Sequence, residues 1–216
     1  MNFEAAREQM IEQQVRTWDV FNDDVLNAMR DVRRENFVPR QFHSLAFADS
    51  SIPLPHGQTM LPASLHGRML QAVAITPNDI VLEIGTGSGY LSACMGRLGS
   101  RVRSLEIIPE LAELARANLL NAAANNVAVE IGDGTKLDEP ATYDVIVVTG
   151  SLPVYDERFQ RALKPGGRLF AVVGEGPAME AWLVTRMGER EWQRESRFET
   201  VIDPLIHAAR PPAFVF

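Results

Sequence analysis

Hydrophobic and polar positions change rhythm along this chain. Through the first forty residues the apolar positions recur at helical spacing. In "FEAAREQMIEQQV" the residues Phe3, Met10, Ile11 and Val15 share a face, and Asn22 or Asp23 offers a cap ahead of Val25, Leu26, Met29 and Val32. Pro39 ends that segment. From Gln41 to Pro62, Ser, Pro and Gly interrupt every period, which predicts an irregular but ordered connector.

Beyond it strands and helices alternate. "DIVLEIG" is a continuous apolar run of the kind buried on both faces of a parallel sheet, and "SGYLSACMGRLG" reads as a helix stopped at Gly99. "RVRSLEI", "NVAVEIGD" and "YDVIVVTG" are further strands, with "PELAELARANLLNAA" a helix that has Pro109 in its first turn. "RFQRALKPGG" is expected to be a helix closed by a Pro-Gly turn before the strand "RLFAVVG". The alternation around "GERE" in the last stretch suits an antiparallel hairpin at one edge. Short strand-helix-strand connections imply right-handed crossovers, so the expected fold is α/β, a doubly wound, mostly parallel seven-stranded sheet with an N-terminal helical extension. The division expected is residues 1–62 as extension and substrate-side loop, packed on the core, and 63–216 as the binding domain.

Composition narrows the function. A chain of 216 residues with 46% hydrophobic content builds one sizeable core rather than two. The net charge of −7 argues against a nucleic-acid partner, since a duplex-binding face needs clustered Lys and Arg. The one basic cluster, "RDVRRE" at 30–35, reads as a solvated helix face. Cys94 stands alone, which excludes an internal disulfide and fits a reducing cytoplasm, with the thiol as a small core residue. No apolar run approaches the roughly 20 residues of a membrane span, and "MNFEAAREQM" does not read as a secretory signal. A cytoplasmic monomer without membrane contact is expected. His43, His56, His66 and His207 show none of the paired spacings of zinc or iron sites, so no metal is expected.

"VLEIGTGSGY" carries the binding chemistry. Gly85, Gly87 and Gly89 follow a buried strand and open a helix, where backbone must approach a ligand closely. The third glycine of the dinucleotide fingerprint is replaced by Tyr90, and the spacing G-x-G-x-G with Glu83 before it resembles class I methyltransferases that use S-adenosylmethionine. That donor carries a sulfonium and an ammonium but no phosphate, so acids near the loop favour it. Glu106 at the end of the second strand is placed for the ribose hydroxyls, and Asp133 at the end of the third for the adenine amino group. Thr86, Ser88, Ile107 and Gly134 complete the expected donor set. Singly, a glycine turn or a strand-terminal acid is as well explained by a tight turn or a helix cap; the order on consecutive strands favours the ligand.

The blocks "ENFVP", "LAFAD", "PLPHGQT", "VLEIGTGSGYLSA", "GDG", "YDVIVVTG", "LKPGGRL" and "DPLI" resemble, in order, those of protein-L-isoaspartate O-methyltransferases. The resemblance implies a Rossmann-like methyltransferase fold and methyl transfer to the free carboxylate of an isoaspartyl residue in damaged protein. It also marks three departures: the family serine after G-Q-T is Leu61, "GSLP" only approximates the small residues and proline that follow the fourth strand, and the apolar residue before "PL" is Asp203. Leucine neither donates nor accepts a hydrogen bond. Yet a carboxylate with a pKa near 4 is already ionised and needs no general base, so the lost hydroxyl is worth only about 0.5 to 1.5 kcal/mol. Thr59 is the candidate for part of that role, Ser64 an alternative if the loop shifts, and a purely structural turn residue the competing reading of Thr59. Two other functions stay open: a methyltransferase with a different small-molecule or protein acceptor, and a non-catalytic S-adenosylmethionine-binding module. Nucleic-acid methylation is disfavoured, because "TGSLP" lacks the Asn or Asp with Pro-Pro and an aromatic that amino-methylating enzymes place there.

Overall fold

In the computed structural model, which describes residues 2–212, the chain begins with one helix of changing pitch. α1 (Phe3–Met10) is capped by Asn2, whose side chain accepts from the Ala5 amide, and continues through a wide π-type turn at Ile11–Val15 into a tight turn at Arg16–Trp18. α2 (Asp23–Asp31) starts where Asn22 accepts from the Val25 amide at 3.1 Å.

The expected solvated face at 30–35 is not what forms. α2 stops at Asp31, and Arg34–Phe37 make a tight 3-10 turn in which Arg34 is wholly buried and Glu35 nearly so. The reason is that both charges find partners inside: Arg34 donates to main-chain carbonyls, and Glu35 pairs with Arg7 at 2.5 Å. The connector after Pro39 is ordered as predicted, a 3-10 stretch at Arg40–Leu45 followed by a two-residue hairpin of β1 (Ile52–Pro53) and β2 (Thr59–Met60).

α3 (Ala63–Val73) leads into the sheet. β3 (Ile80–Ile84), α4 (Tyr90–Leu98), β4 (Arg101–Glu106), α5 (Pro109–Asn121), β5 (Val127–Ile131), β6 (Tyr143–Leu152), α6 (Glu157–Arg161), β7 (Leu163–Glu175), β8 (Ala178–Arg186) and β9 (Trp192–Glu199) follow. The seven strands run in the order β5-β4-β3-β6-β7-β8-β9, parallel as far as β7 and antiparallel over β8 and β9. β3 and β6 are buried on both faces: Val81, Val145 and Val147 join the cluster of α3 and α4, and Leu82, Ile84, Ile146 and Val148 a second cluster with Leu137 and Phe159. The chain leaves β3 towards β4 on one side and returns through β6 on the other, so a crevice opens at the carboxyl ends of these two strands.

One helix is shorter than the pattern predicts. α6 ends at Arg161, and Leu163 to Gly167 already belong to β7, bulging against β6 before the register resumes at Val145 and Arg168. A Cβ on Gly167 would lie 2.8 Å from the Lys164 carbonyl oxygen, so the bulge requires glycine there. Among the described residues no helix is long and apolar enough to cross a membrane.

Met10, Ile11, Leu26 and Met29 belong to the same buried cluster as Leu70 of α3 and Val145 and Phe170 of the sheet. α3 packs so closely on the N-terminal helix that a Cβ on Gly67 would come 2.7 Å from Val15 Cγ1. The N-terminal helices are thus walls of one core rather than an appended unit. Ile11→Ala, at a fully buried position, is expected to lower stability by about 2–5 kcal/mol within a single unfolding transition in denaturant. Two separate transitions would show instead that the N-terminal segment folds on its own.

Candidate functional site

The glycine loop lies in the crevice between β3 and β6. Gly85, Gly87 and Gly89 have φ of 93°, 55° and 85°, all left-handed. A Cβ on Gly85 would collide with the Thr149 hydroxyl of β6, which sits 2.9 and 2.7 Å from the Ile84 and Gly85 carbonyls. Gly89 differs from its neighbours. It does not line the crevice, and its missing Cβ leaves room for Ala115 and Leu119 of α5, each at 3.3 Å, so it serves helix packing rather than ligand approach. Thr86 and Ser88 line the cavity with the loop, as do Ile107 after β4 and Gly134 after β5.

The three acids stand at the ends of three adjacent parallel strands. Glu106 accepts from the Gly87 amide at 2.9 Å on one oxygen and from the Ile108 amide at 3.0 Å on the other. Each oxygen keeps a second lone pair for a ligand hydroxyl. Asp133 accepts from the Thr135 hydroxyl at 2.6 Å and from His207 Nδ1 at 2.9 Å. Burial works to raise its pKa, but these hydrogen bonds hold the carboxyl below its ordinary range. Glu83 departs from the expectation of an anion beside the loop. It is fully buried beneath the glycines, Ser92 and Ser104 donate to its Oε2, and burial pushes its pKa up to about 8. At neutral pH it is mainly a neutral carboxyl, and its Oε1 has no hydrogen-bond partner.

On the other side of the cavity stand Thr59, Leu61 and Asp203. The Thr59 hydroxyl donates to Asp203 Oδ2 at 3.2 Å, so the candidate hydroxyl meets one of the sequence departures directly, and Leu61 lines the same cavity. Ser64 is turned away and donates to Asp49 at 2.7 Å, which removes it as a substitute for the missing serine. Three features at or beside the cavity carry no signal in the sequence. His207, at φ 65°, reaches Asp133 from the C-terminal segment, Thr149 braces the glycine loop, and His66 lines the wall beside Leu61 and Tyr90. The histidine spacings speak only to metal binding, and nothing local in the sequence brings Arg34, 32 positions away, to 3.2 Å from the His66 ring.

A model of the family described as Protein-L-isoaspartate(D-aspartate) O-methyltransferase matches residues 5–207. A protein-L-isoaspartate O-methyltransferase of Koribacter versatilis is 38% identical over 205 residues, 94% of this chain and 92% of that one. One of Methanoculleus marisnigri is 37% identical over 196 residues, 90% and 86% of the two chains. Among solved structures, one from Plasmodium falciparum assigned to the same enzyme, in complex with S-adenosyl-L-homocysteine, superposes with a TM-score of 0.81 at 19% identity, covering 95% of this chain and 98% of that one. Another protein-L-isoaspartate O-methyltransferase gives 0.80 at 25% identity, covering 92% and 65%.

The state of Glu83 has a measurable consequence. Its folded pKa lies above the unfolded value, so its contribution to stability is complete below about pH 4.5 and is lost as pH rises towards 8. Thermal melts are therefore expected to fall between pH 5 and 8 in the unaltered protein, and to fall less in Glu83→Gln, which keeps a neutral side chain throughout. Equal slopes would show that Glu83 is ionised in the fold.

Proposed function

The chain belongs to the protein-L-isoaspartate(D-aspartate) O-methyltransferase family, S-adenosylmethionine-dependent enzymes acting on isoaspartyl protein, and we propose that its one continuous crevice binds donor and acceptor together. The observation that carries this assignment of residues is the row of Glu83, Glu106 and Asp133 at the ends of β3, β4 and β5, around a loop whose left-handed backbone favours glycine.

Each residue has a distinct part. Glu106 takes the ribose hydroxyls on its free lone pairs while its other contacts fix the loop. Asp133 accepts the adenine amino group once His207 gives way, and Ile107 and Gly134 bound the base. The buried Glu83 Oε1, without a partner in the fold, fits an ammonium group, which would draw its pKa back down. Bound there, S-adenosylmethionine supplies a methyl on a positively charged sulfur, which an ionised carboxylate takes directly, leaving S-adenosylhomocysteine and a methyl ester.

The protein's work is then alignment and exclusion of water. Thr59 orients the acceptor, its hydroxyl passing from Asp203 to the incoming carboxylate. Residues 1–62 supply this acceptor side, with β2 and Leu61 over the crevice, and residues 63–216 the donor side. In this reading the enzyme works as a cytoplasmic monomer, in which burial pushes the lone Cys94 thiol up to about 12 and leaves it unreactive.

Transfer of labelled methyl to an isoaspartyl peptide, against its aspartyl twin, tests the activity; slow but selective transfer is expected, and no transfer to either would overturn it. Glu106→Ala is expected to weaken S-adenosylhomocysteine binding by at least about tenfold in calorimetry, because two charge-assisted hydrogen bonds are lost. Leu61→Ser restores a hydroxyl, and Asp203→Asn removes an anion facing an anionic acceptor. Each is expected to lower KM for the isoaspartyl peptide by about three- to tenfold, with donor affinity unchanged.

A further inference from the structure

Arg34 carries its charge into the core without a carboxylate to meet it. Its donors go to the Ala46 carbonyl at 3.0 Å, the Leu61 carbonyl at 2.8 Å and His66 Nδ1 at 3.2 Å, and the guanidinium carbon lies 4.9 Å from the centre of the Tyr90 ring. No acid among the described residues hydrogen-bonds to it. A buried cation held only by neutral groups is costly, and the cost falls when an anion comes near.

The contact with His66 fixes more than position. A guanidinium has donors and no acceptor, so His66 Nδ1 must accept and the ring proton must sit on Nε2. No described residue accepts from that Nε2–H, while the ring lines the crevice next to Leu61. Burial, with Arg34 beside it, lowers the imidazole pKa well below its ordinary value, so the ring is neutral and the donor is single. The groups around it do not compete for the acceptor. Tyr90 stands ring to ring at 5.4 Å, Glu83 in the same crevice is largely protonated, and the Thr59 hydroxyl, which reaches the acceptor from the Asp203 side, is a second donor to the carboxylate rather than a rival acceptor.

We propose that His66 Nε2–H is the hydrogen-bond donor that holds the acceptor carboxylate where the family serine is missing, and that Arg34 is a positioning residue that sets the imidazole's tautomer and adds a positive field behind it. This rests on the methyltransferase reading above. The shared chemistry is a carboxylate, and the donor's own α-carboxylate is the other source. The acceptor is favoured because Arg34 grips His66 and the Leu61 carbonyl with one guanidinium, which ties the ring to the position of the missing hydroxyl. The loop under the donor is braced elsewhere, by Glu106 and Thr149.

An anion loses its charge as the ester forms, so a donor to it binds the ground state more than the transition state. His66→Phe is therefore expected to raise KM for an isoaspartyl peptide by about tenfold or more with little change in kcat, and His66→Gln, which keeps an acceptor and a donor, to recover most of the loss. Calorimetry with S-adenosylhomocysteine is expected to give the same affinity for all three proteins. Nitrogen NMR of the unaltered enzyme should show the Nε2–H tautomer, with the Nε2 signal shifting when the peptide is added to the S-adenosylhomocysteine complex, and Arg34→Met should admit the Nδ1–H form. This measurement decides the matter if His66→Phe does not fold. An unchanged KM, a loss confined to S-adenosylhomocysteine affinity, or an Nε2 signal indifferent to peptide would overturn the proposal while leaving the activity standing. An unaltered enzyme that transfers nothing would overturn both.

Discussion

The hydrogen bond from the Gly87 amide to Glu106 joins the end of one strand to the loop after its neighbour, and the donor side of the crevice is built outward from it. β3 and β4 run parallel and in register, so their carboxyl ends lie side by side, and a carboxylate on one can reach an amide beyond the other. That contact fixes the left-handed Gly87, and Thr149 of β6 fixes Gly85 from the opposite side. Both braces exist only because strand order reverses at β3. Topology and loop conformation are one constraint here: a side chain at Gly85 would collide with Thr149, and one at Gly87 would be held in a left-handed backbone that side chains disfavour.

The acceptor side follows a different electrostatic logic. Asp203 presents a negative charge at the mouth, exposed to water and therefore screened, while Arg34 holds a positive charge deep behind Leu61 and His66, where screening is weak. For a bound carboxylate the buried cation outweighs the exposed anion at comparable distance. The crevice is thus attractive to an anion in its depth and mildly repulsive at its rim, which favours a carboxylate carried on a side chain that can reach inward.

Much of this was legible in the sequence. The strand-helix alternation, the glycine spacing and the acids at strand ends are local signals, because each depends on residues a few positions apart and on the buried character of parallel strands. Contacts that join distant segments left no such signal. "RDVRRE" reads as a solvated face because no pattern shows that Ala46, Leu61 and His66 would converge on Arg34, and His207 meets Asp133 across 74 positions. α6 is shorter than its sequence suggests for the converse reason: the helical propensity of "RFQRAL" is real, but pairing with β6 claims the chain from Leu163 onward. The motif shows an acid before the glycines but not the protonation state of Glu83, because burial is a property of the fold and not of the motif.

That last point changes how the crevice receives its donor. A carboxyl held neutral by burial does not repel Glu106, so the unliganded loop avoids two close anions beneath it. On the proposed assignment, an ammonium arriving at the partnerless Oε1 offsets the desolvation that kept the proton on, and Glu83 can ionise against it. The proton leaves as the cation enters, so the site's net charge rises by less than the ligand's own. Ligand binding and proton release are then coupled by linkage, and donor affinity should strengthen as pH rises towards 8, opposite in sign to the effect of Glu83 on the empty fold.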